Sequence, residues 1–191
     1  MNKVSAFQKF VRKHFAFLAA HDFSAPEVRA EGGVCVLTYK SPRVSVMLCY
    51  GPPEFEASMS FWLNAAPKMS FSVGDLRVVG QRAEAWKPAP GTEGLESHVS
   101  FLASAVRSVE GRLCSGDPVF YELMLSARQA SIAEWRQSEE LRAMRSKAEA
   151  AWKAKKYGEV VKAYGAEASH LTAVEKKRLE YAEKKVRSAK T

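Results

Sequence analysis

The stretch VCVLTYKSPRVSVMLCYGPPEFEASMSFWL, residues 34–63, decides the fold. Two turn signals divide it, Ser41-Pro42 and Gly51-Pro52-Pro53, where proline presets φ and small residues tolerate tight backbone. Each piece alternates apolar with polar or small side chains and is rich in β-branched and aromatic residues. Pieces of this kind joined by short turns predict an antiparallel meander of three strands. Val44, Val46, Leu48 and Tyr50 fall on one face. On the third strand Phe55, Ala57, Met59, Phe61 and Leu63 fall together, with Glu56, Ser58 and Ser60 opposite. One apolar and one mixed face describe a sheet covered by helices on a single side. A turn centred on Ser41-Pro42 sets Cys35 across from Leu48 or Cys49, according to register.

Upstream, Val4, Phe7, Val11, Phe15 and Leu18 recur at three- and four-residue spacing. This predicts an amphipathic helix from about Val4 to Ala20, the natural cover for the apolar sheet face. Asp22, Ser24 and Pro26 end it, and Gly32-Gly33 precedes the first strand.

Downstream, Ser72 and Asp75 resemble a capping box for a short helix, roughly Val73 to Val79. Residues 81–94 hold Pro88, Pro90, Gly91 and Gly94 and predict a long loop, after which Thr92 can cap a helix. That helix carries Leu95, Val99, Leu102, Val106, Val109 and Leu113 through to about Arg112. Asp117 is then an N-cap, with Pro118 at the first helical position. The stripe Leu123, Ala127, Ala130 continues in register to Leu141, Met144, Ala148 and Trp152, interrupted by Glu134 and Gln137. This helix either breaks near Gln137-Ser138 or runs on to Lys155, longer than a body of this size is wide. Tyr157-Gly158 opens a short helix through Tyr164, and Thr172 with Glu175 forms a second capping box. The last helix carries Leu179, Ala182 and Val186 on one face and lysine clusters on the other.

The expected fold class is α+β: a three-stranded antiparallel meander packed by an N-terminal helix, followed by a helical C-terminal half. The expected division is an α+β body over residues 1–116 and a basic helical region over 117–191. The latter holds a long helix and a terminal helical hairpin.

The chain has 191 residues, of which 47% are hydrophobic and 26% charged, ordinary values for a globular protein. Collagen-like, low-complexity and wholly disordered readings are excluded. No apolar run approaches the roughly 20 residues a membrane-spanning helix needs. Lys9, Arg12, Lys13 and His14 interrupt the apolar residues near the N-terminus, unlike a secretory signal. A basic amphipathic helix also suits a transit peptide or a membrane-surface anchor, but a Phe-rich stripe fits a core better. Cys35, Cys49 and Cys114 lack metal-ligand spacing and read as buried thiols of a reducing cytosol, with a Cys35–Cys49 disulfide as the alternative. The expected location is cytoplasmic.

The formal charge is +8, and residues 134–191 carry 15 Lys/Arg against 9 Asp/Glu, so most of the excess lies there. A basic helical region suits an acidic protein, nucleic acid or an anionic lipid surface. The plainer reading is a solvated helix face with pairs such as Glu149 and Lys153 at i,i+4. If a partner is bound there, the basic patch is Lys155, Lys156, Lys176, Lys177, Arg178, Lys184 and Lys185. Tyr157, Tyr164 and Tyr181 lie near these residues; they can stack on bases but suit helix–helix packing better.

Phosphate-loop, dinucleotide-binding, HExxH, CxxC and GxSxG motifs are all missing, so no cofactor and no enzymatic activity are expected. His14, His21, His98 and His170 each stand alone in sequence. A nucleophile set of His98, Cys114 and an acid such as Asp117 would need the fold to assemble it. Glu54 and Glu56 are a carboxylate pair at a strand edge, expected to face solvent.

Two resemblances remain. From Phe7 to Leu76 the layout is a Phe-rich helix, the hairpin VCVLTYKSPRVSVMLCY, the strand PPEFEASMSFWL with Glu56 embedded, and a short FSVGDL segment. This resembles small α+β proteins encoded beside secreted or contact-delivered bacterial toxins, which act as immunity proteins. The resemblance implies a stoichiometric binder that occludes a toxin's active site, with no catalytic residues carried over. AEAAWKAKKYGEVVKAYGAE, residues 148–167, resembles a single tetratricopeptide-type helix pair in the placement of Trp152, Tyr157 and Tyr164. Val160 and Val161 replace that family's small residue, and no second copy follows.

The expected function is therefore non-catalytic protein binding, specifically neutralisation of a toxin, with Trp62, Trp86 and Glu56 as partner-binding residues. The alternative is nucleic-acid binding by the basic C-terminal helices; an enzyme with an unrecognised site comes third. Homodimerisation through the uncovered sheet face is the remaining partner option.

Overall fold

A computed structural model describes residues 2–52, 56–78, 91–165 and 168–189. Glu54, Phe55 and Trp86, and the expected loop as far as residue 90, lie outside the described residues. The chain forms two compact units, Met1–Arg128 and Gln129–Thr191.

The first unit opens with α1 (Lys3–His14), capped where Asn2 Oδ1 accepts from the Val4 N–H at 3.1 Å. The expected single helix to Ala20 is not formed. The chain leaves helical geometry at Phe15 and tightens into a 3-10 turn over Ala16–His21. That turn keeps Phe15 and Leu18 both fully buried, because residues three apart eclipse in a 3-10 helix.

The sheet follows as β1 (Glu27–Glu31), β2 (Val34–Lys40), β3 (Val44–Gly51), β4 (Glu56–Leu63) and β5 (Ser70–Ser72), antiparallel in chain order. The α+β class stands, but the meander has five strands among the described residues where three were expected. Gly32 and Gly33, both at positive φ (58° and 82°), form the two-residue link between β1 and β2, the left-handed geometry such hairpins favour. All five residues of β1 are exposed, so no apolar run marks it.

The β2–β3 register also differs from the expectation. Its turn is centred on Pro42–Arg43, closed by the Ser41 N–H to Val44 carbonyl bond at 2.9 Å. Ser41 Oγ fixes the turn further by accepting from the Val44 N–H at 3.0 Å. Cys35 therefore opposes Tyr50, and Cys49 opposes Val36. The two thiols lie on opposite faces and are free, which removes the disulfide alternative.

One sheet face is the core. Leu37, Val46, Leu48 and Phe61, all at 0% exposure, pack with Phe7 and Val11 of α1 and Val99 and Val106 of α3 (Gly91–Arg107). Each such side chain contributes about 1.5–3 kcal/mol on burial. Preceding α3, α2 (Val73–Val78) starts near the expected position, with the Ser72 N–H donating to Asp75 Oδ2 at 2.6 Å. α3 has begun by Thr92, and it ends at Arg107 rather than Arg112. The Val109 N–H turns back to Val106 and a separate α4 (Glu110–Ser115) follows.

α5 (Pro118–Lys153) starts as expected, with the Val119 N–H donating to Asp117 Oδ1 at 3.0 Å. It is one helix, unbroken through Gln137-Ser138. After Pro118 at its first position no glycine or proline falls within it, and Arg142 pairs with Glu139 just past the expected break. Its contribution to the first core is Phe120, Tyr121 and Met124, not Leu123 and Ala130, which are exposed. Only the first part of the expected stripe is out of phase, because Phe120 and Tyr121 are larger and set which face turns inward; its later residues Met144 and Ala148 are buried, with Leu141 and Trp152 packed against them.

The second unit contains the later part of α5, then α6 (Tyr157–Gly165), a 3-10 turn (Ala168–His170) and α7 (Ala173–Ser188). Met144, Ala148 and Ala151 of α5 pack with Val160, Tyr164, Leu171 and Ala182. The capping box of α7 is complete: the Glu175 N–H donates to Thr172 Oγ1, and the Thr172 N–H to Glu175 Oε2. Arg145 and Arg178 of α5 and α7 tie the unit together through Glu175 at 2.8 Å and Glu149 at 2.6 Å. No helix among the described residues is long and apolar enough to cross a membrane.

Candidate partner-binding surfaces

The sheet face away from the core carries Val36, Thr38, Met47, Cys49, Ser60 and Trp62, all partly buried. Trp62 lies on this face because Phe61 and Leu63 beside it point to the core. Its cross-strand neighbours are Ser45 and Ser70. Ser45 Oγ donates to Asn64 Oδ1 at 2.7 Å, and Asn64 Nδ2 donates to the Ser41 carbonyl, so this end of the face is anchored. Glu56 begins β4 and is exposed opposite Gly51. Trp62 and Glu56 stand at opposite ends of the strand and form no single cluster.

The basic residues divide into four groups. Arg178 is committed to structure: its guanidinium pairs with Glu149 and lies 5.4 Å from the Trp152 ring centroid. That cation holds the Glu149 carboxyl below the usual carboxylate range. Lys185 lies 5.6 Å from the Tyr181 ring centroid. Lys176, Lys177 and Lys184 are exposed on α7, but Glu180 and Glu183 are interleaved with them. Lys155 and Lys156 belong to the turn from α5 into α6, and Lys156 pairs with Glu159 at 3.3 Å. Trp152, Tyr157 and Tyr181 meet edge-on at 5.6–5.9 Å, while Tyr164 is buried. The tyrosines thus pack helix on helix.

Two surfaces escaped the sequence reading. From Gln129 to Ser138 every residue of α5 is exposed, including Ile132 at 43% and Trp135 at 64%. These two are one turn apart and present an apolar edge to water. Glu134 and Gln137 disguise it, since they read as interruptions of a core stripe. The second surface is a groove of about 960 Å³ between α5 and α6. Ala143, Met144, Ala150 and Ala151 of α5, with Ala154 just beyond it, line one side, and Lys147, Lys156 and Lys162 supply cations. The 3-4 spacing of the alanines was visible, but a run of small residues does not announce a concave surface.

The polar clusters serve structure. Arg128 Nε and Nη2 donate to both oxygens of Asp75 at 2.7 and 2.6 Å, and Nη2 also donates to the Ser70 carbonyl. The guanidinium covers the Phe71 ring at 4.7 Å. Burial alone would push the Asp75 carboxyl up, but the bonds from Arg128 and Ser72 outweigh it and hold the pKa low.

The imagined set of His98, Cys114 and Asp117 is not assembled as a nucleophile site. Asp117 is engaged by Arg112 at 3.0 Å and by the α5 cap, and His98 lies in the field of Glu56. Cys114 instead lines a cleft of about 430 Å³ with His21, Asp22, Ser41 and Arg43. Burial, then the nearby Glu110 carboxylate, push the Cys114 thiol up to about 12. It is not a thiolate at neutral pH. Among the described residues no three His, Cys, Asp or Glu side chains gather into a metal-binding group.

Comparison of the chain with protein-family models, with curated proteins and with solved structures gives no match.

Proposed function

We propose that the protein is a non-catalytic protein-binding module, and specifically an immunity-type protein that neutralises a bacterial toxin by direct occlusion. The observation that carries this reading is the solvent-facing Ile132–Trp135 edge of α5, with Trp135 at 64% exposure. A large aromatic left in water on a rigid helix is the side-chain type that dominates interface energetics when a partner covers it. The layout of residues 7–76 supports the narrower toxin reading. The net charge of +8 favours an acidic partner surface and speeds encounter with it. Trp62 on the open sheet face is a second anchor for the same role.

The test couples capture to protection. The tagged protein should retain one nuclease-resistant protein at near-equal stoichiometry from source lysate. Co-expression with the candidate toxin encoded beside its gene should restore growth. Trp135→Ala should lose both effects while leaving the circular dichroism melt unchanged. Capture that disappears on nuclease treatment would replace this reading with nucleic-acid binding. Full protection by Trp135→Ala would remove α5 from the interface.

A further inference from the structure

We infer that the groove between α5 and α6 receives an acidic amphipathic helix from a partner protein. The inference rests on the protein-binding reading but concerns a different surface from the Ile132–Trp135 edge. Three features define the occupant.

The first is shape. Glu140, Ala143, Lys147 and Ala150 of α5, and Ala154 just past its end, are exposed and succeed one another every three or four positions. Met144 and Ala151, at 8% and 5% exposure, form the floor beneath them. A row with helical period accepts the ridge of another helix, and alanine allows a close approach of the two axes. An extended strand would leave its own backbone groups unpaired here, since helices offer no ladder edge.

The second is charge. Lys147 and Lys162 line the groove and make no ion pair among the described residues. Lys156 is already matched by Glu159 at 3.3 Å. That leaves two unmatched cations against the single carboxylate of Glu140, at the N-terminal end of the α5 lining. Carboxylates on the flanks of an incoming helix therefore find partners at Lys147 and Lys162. A basic helix meets like charge at both.

The third is architecture. α5, α6 and α7 supply three helices around one small core. A helix in the groove adds a fourth and covers the alanine row, completing a bundle-like arrangement.

The experiment uses the full chain and two synthetic helices of about four turns, each lactam-bridged to hold its conformation. One has an apolar stripe flanked by glutamates; the other replaces those glutamates by lysines. Fluorescence anisotropy should show the acidic helix binding at least tenfold more tightly than its basic counterpart. Ala150→Gln, which fills the groove without changing charge, and Lys147→Glu should each weaken the acidic helix at least tenfold. Lys177→Glu on α7, outside the groove lining, should leave binding within twofold. No binding of the acidic helix, equal binding of the two helices, or unchanged binding by Ala150→Gln would each overturn the inference. Partner capture in lysate tests the broader reading independently: a negative peptide result with intact capture removes only the groove.

Discussion

Asp75 is the residue on which the most chemistry converges in the first unit. It is 8% exposed and accepts four hydrogen bonds, two from Arg128 and two from Ser72. Removing Arg128 strands a buried carboxylate, which costs about 2–3 kcal/mol. Urea unfolding of Arg128→Ala should show that loss, and a change below ~0.5 kcal/mol would mean the pair is passive. The pH dependence follows from the depressed folded pKa. The stabilising contribution is complete above the unfolded value of about 3.9 and is lost as pH falls through the folded value. The wild-type advantage over Arg128→Ala should therefore shrink below about pH 4. Sequence revealed half of this site. Ser72 and Asp75 were legible because capping is local, but Arg128 lies 53 positions away and nothing local announces a partner at that distance. The same limit hid the cleft shared by Cys114 and His21.

At the scale of elements, legibility follows from how much apolar surface an element buries. β2, β3 and β4 alternate around a deep core and were readable as strands, although the β2–β3 register was not. β1 buries none of its five residues and β5 is three residues long, so neither carries a pattern. The Gly32-Gly33 pair was the available signal for β1, because two consecutive glycines between extended segments suit a two-residue hairpin. The end of α5 shows a different failure. Lys155 occupies a left-handed position at φ 58°, where the Lys156 N–H reaches back to the Ala151 carbonyl at 2.9 Å. Glycine is the usual residue there, and lysine pays about 1 kcal/mol in backbone strain. Lys155→Gly should therefore raise the unfolding midpoint of the second unit. An unchanged or lowered midpoint in a thermal scan followed at the Trp152 cluster would show that the turn does not limit stability.

For the whole molecule, the distribution of charge matters more than its total. The second unit holds 15 Lys/Arg and 9 Asp/Glu, leaving the first unit a surplus of only two. On the proposed reading, steering toward an acidic partner falls mainly to the helical unit. The association rate with a captured acidic partner should fall severalfold between low and physiological salt, measured by stopped-flow. A rate flat in salt would assign recognition to the apolar anchors alone. The Ser115-Gly116-Asp117-Pro118 stop-and-start marks where α5 begins, but the two units divide between Arg128 and Gln129, inside that helix, and not at the expected 116/117 boundary. What local sequence did not convey is that Phe120, Tyr121 and Met124, just past that signal, fill the first core.

The outermost strand has a bearing on solubility. β1 reads Glu27, Val28, Arg29, Ala30, Glu31, all exposed at the margin of the sheet. Two copies pairing antiparallel about Arg29 would set Glu27 against Glu31 twice and the two guanidiniums against each other. Like charges facing across a ladder repel, and an unpaired edge is where sheets fuse into aggregates. The acid–base–acid alternation thus works as a guard rail: the strand closes the sheet while rejecting its own image in that register.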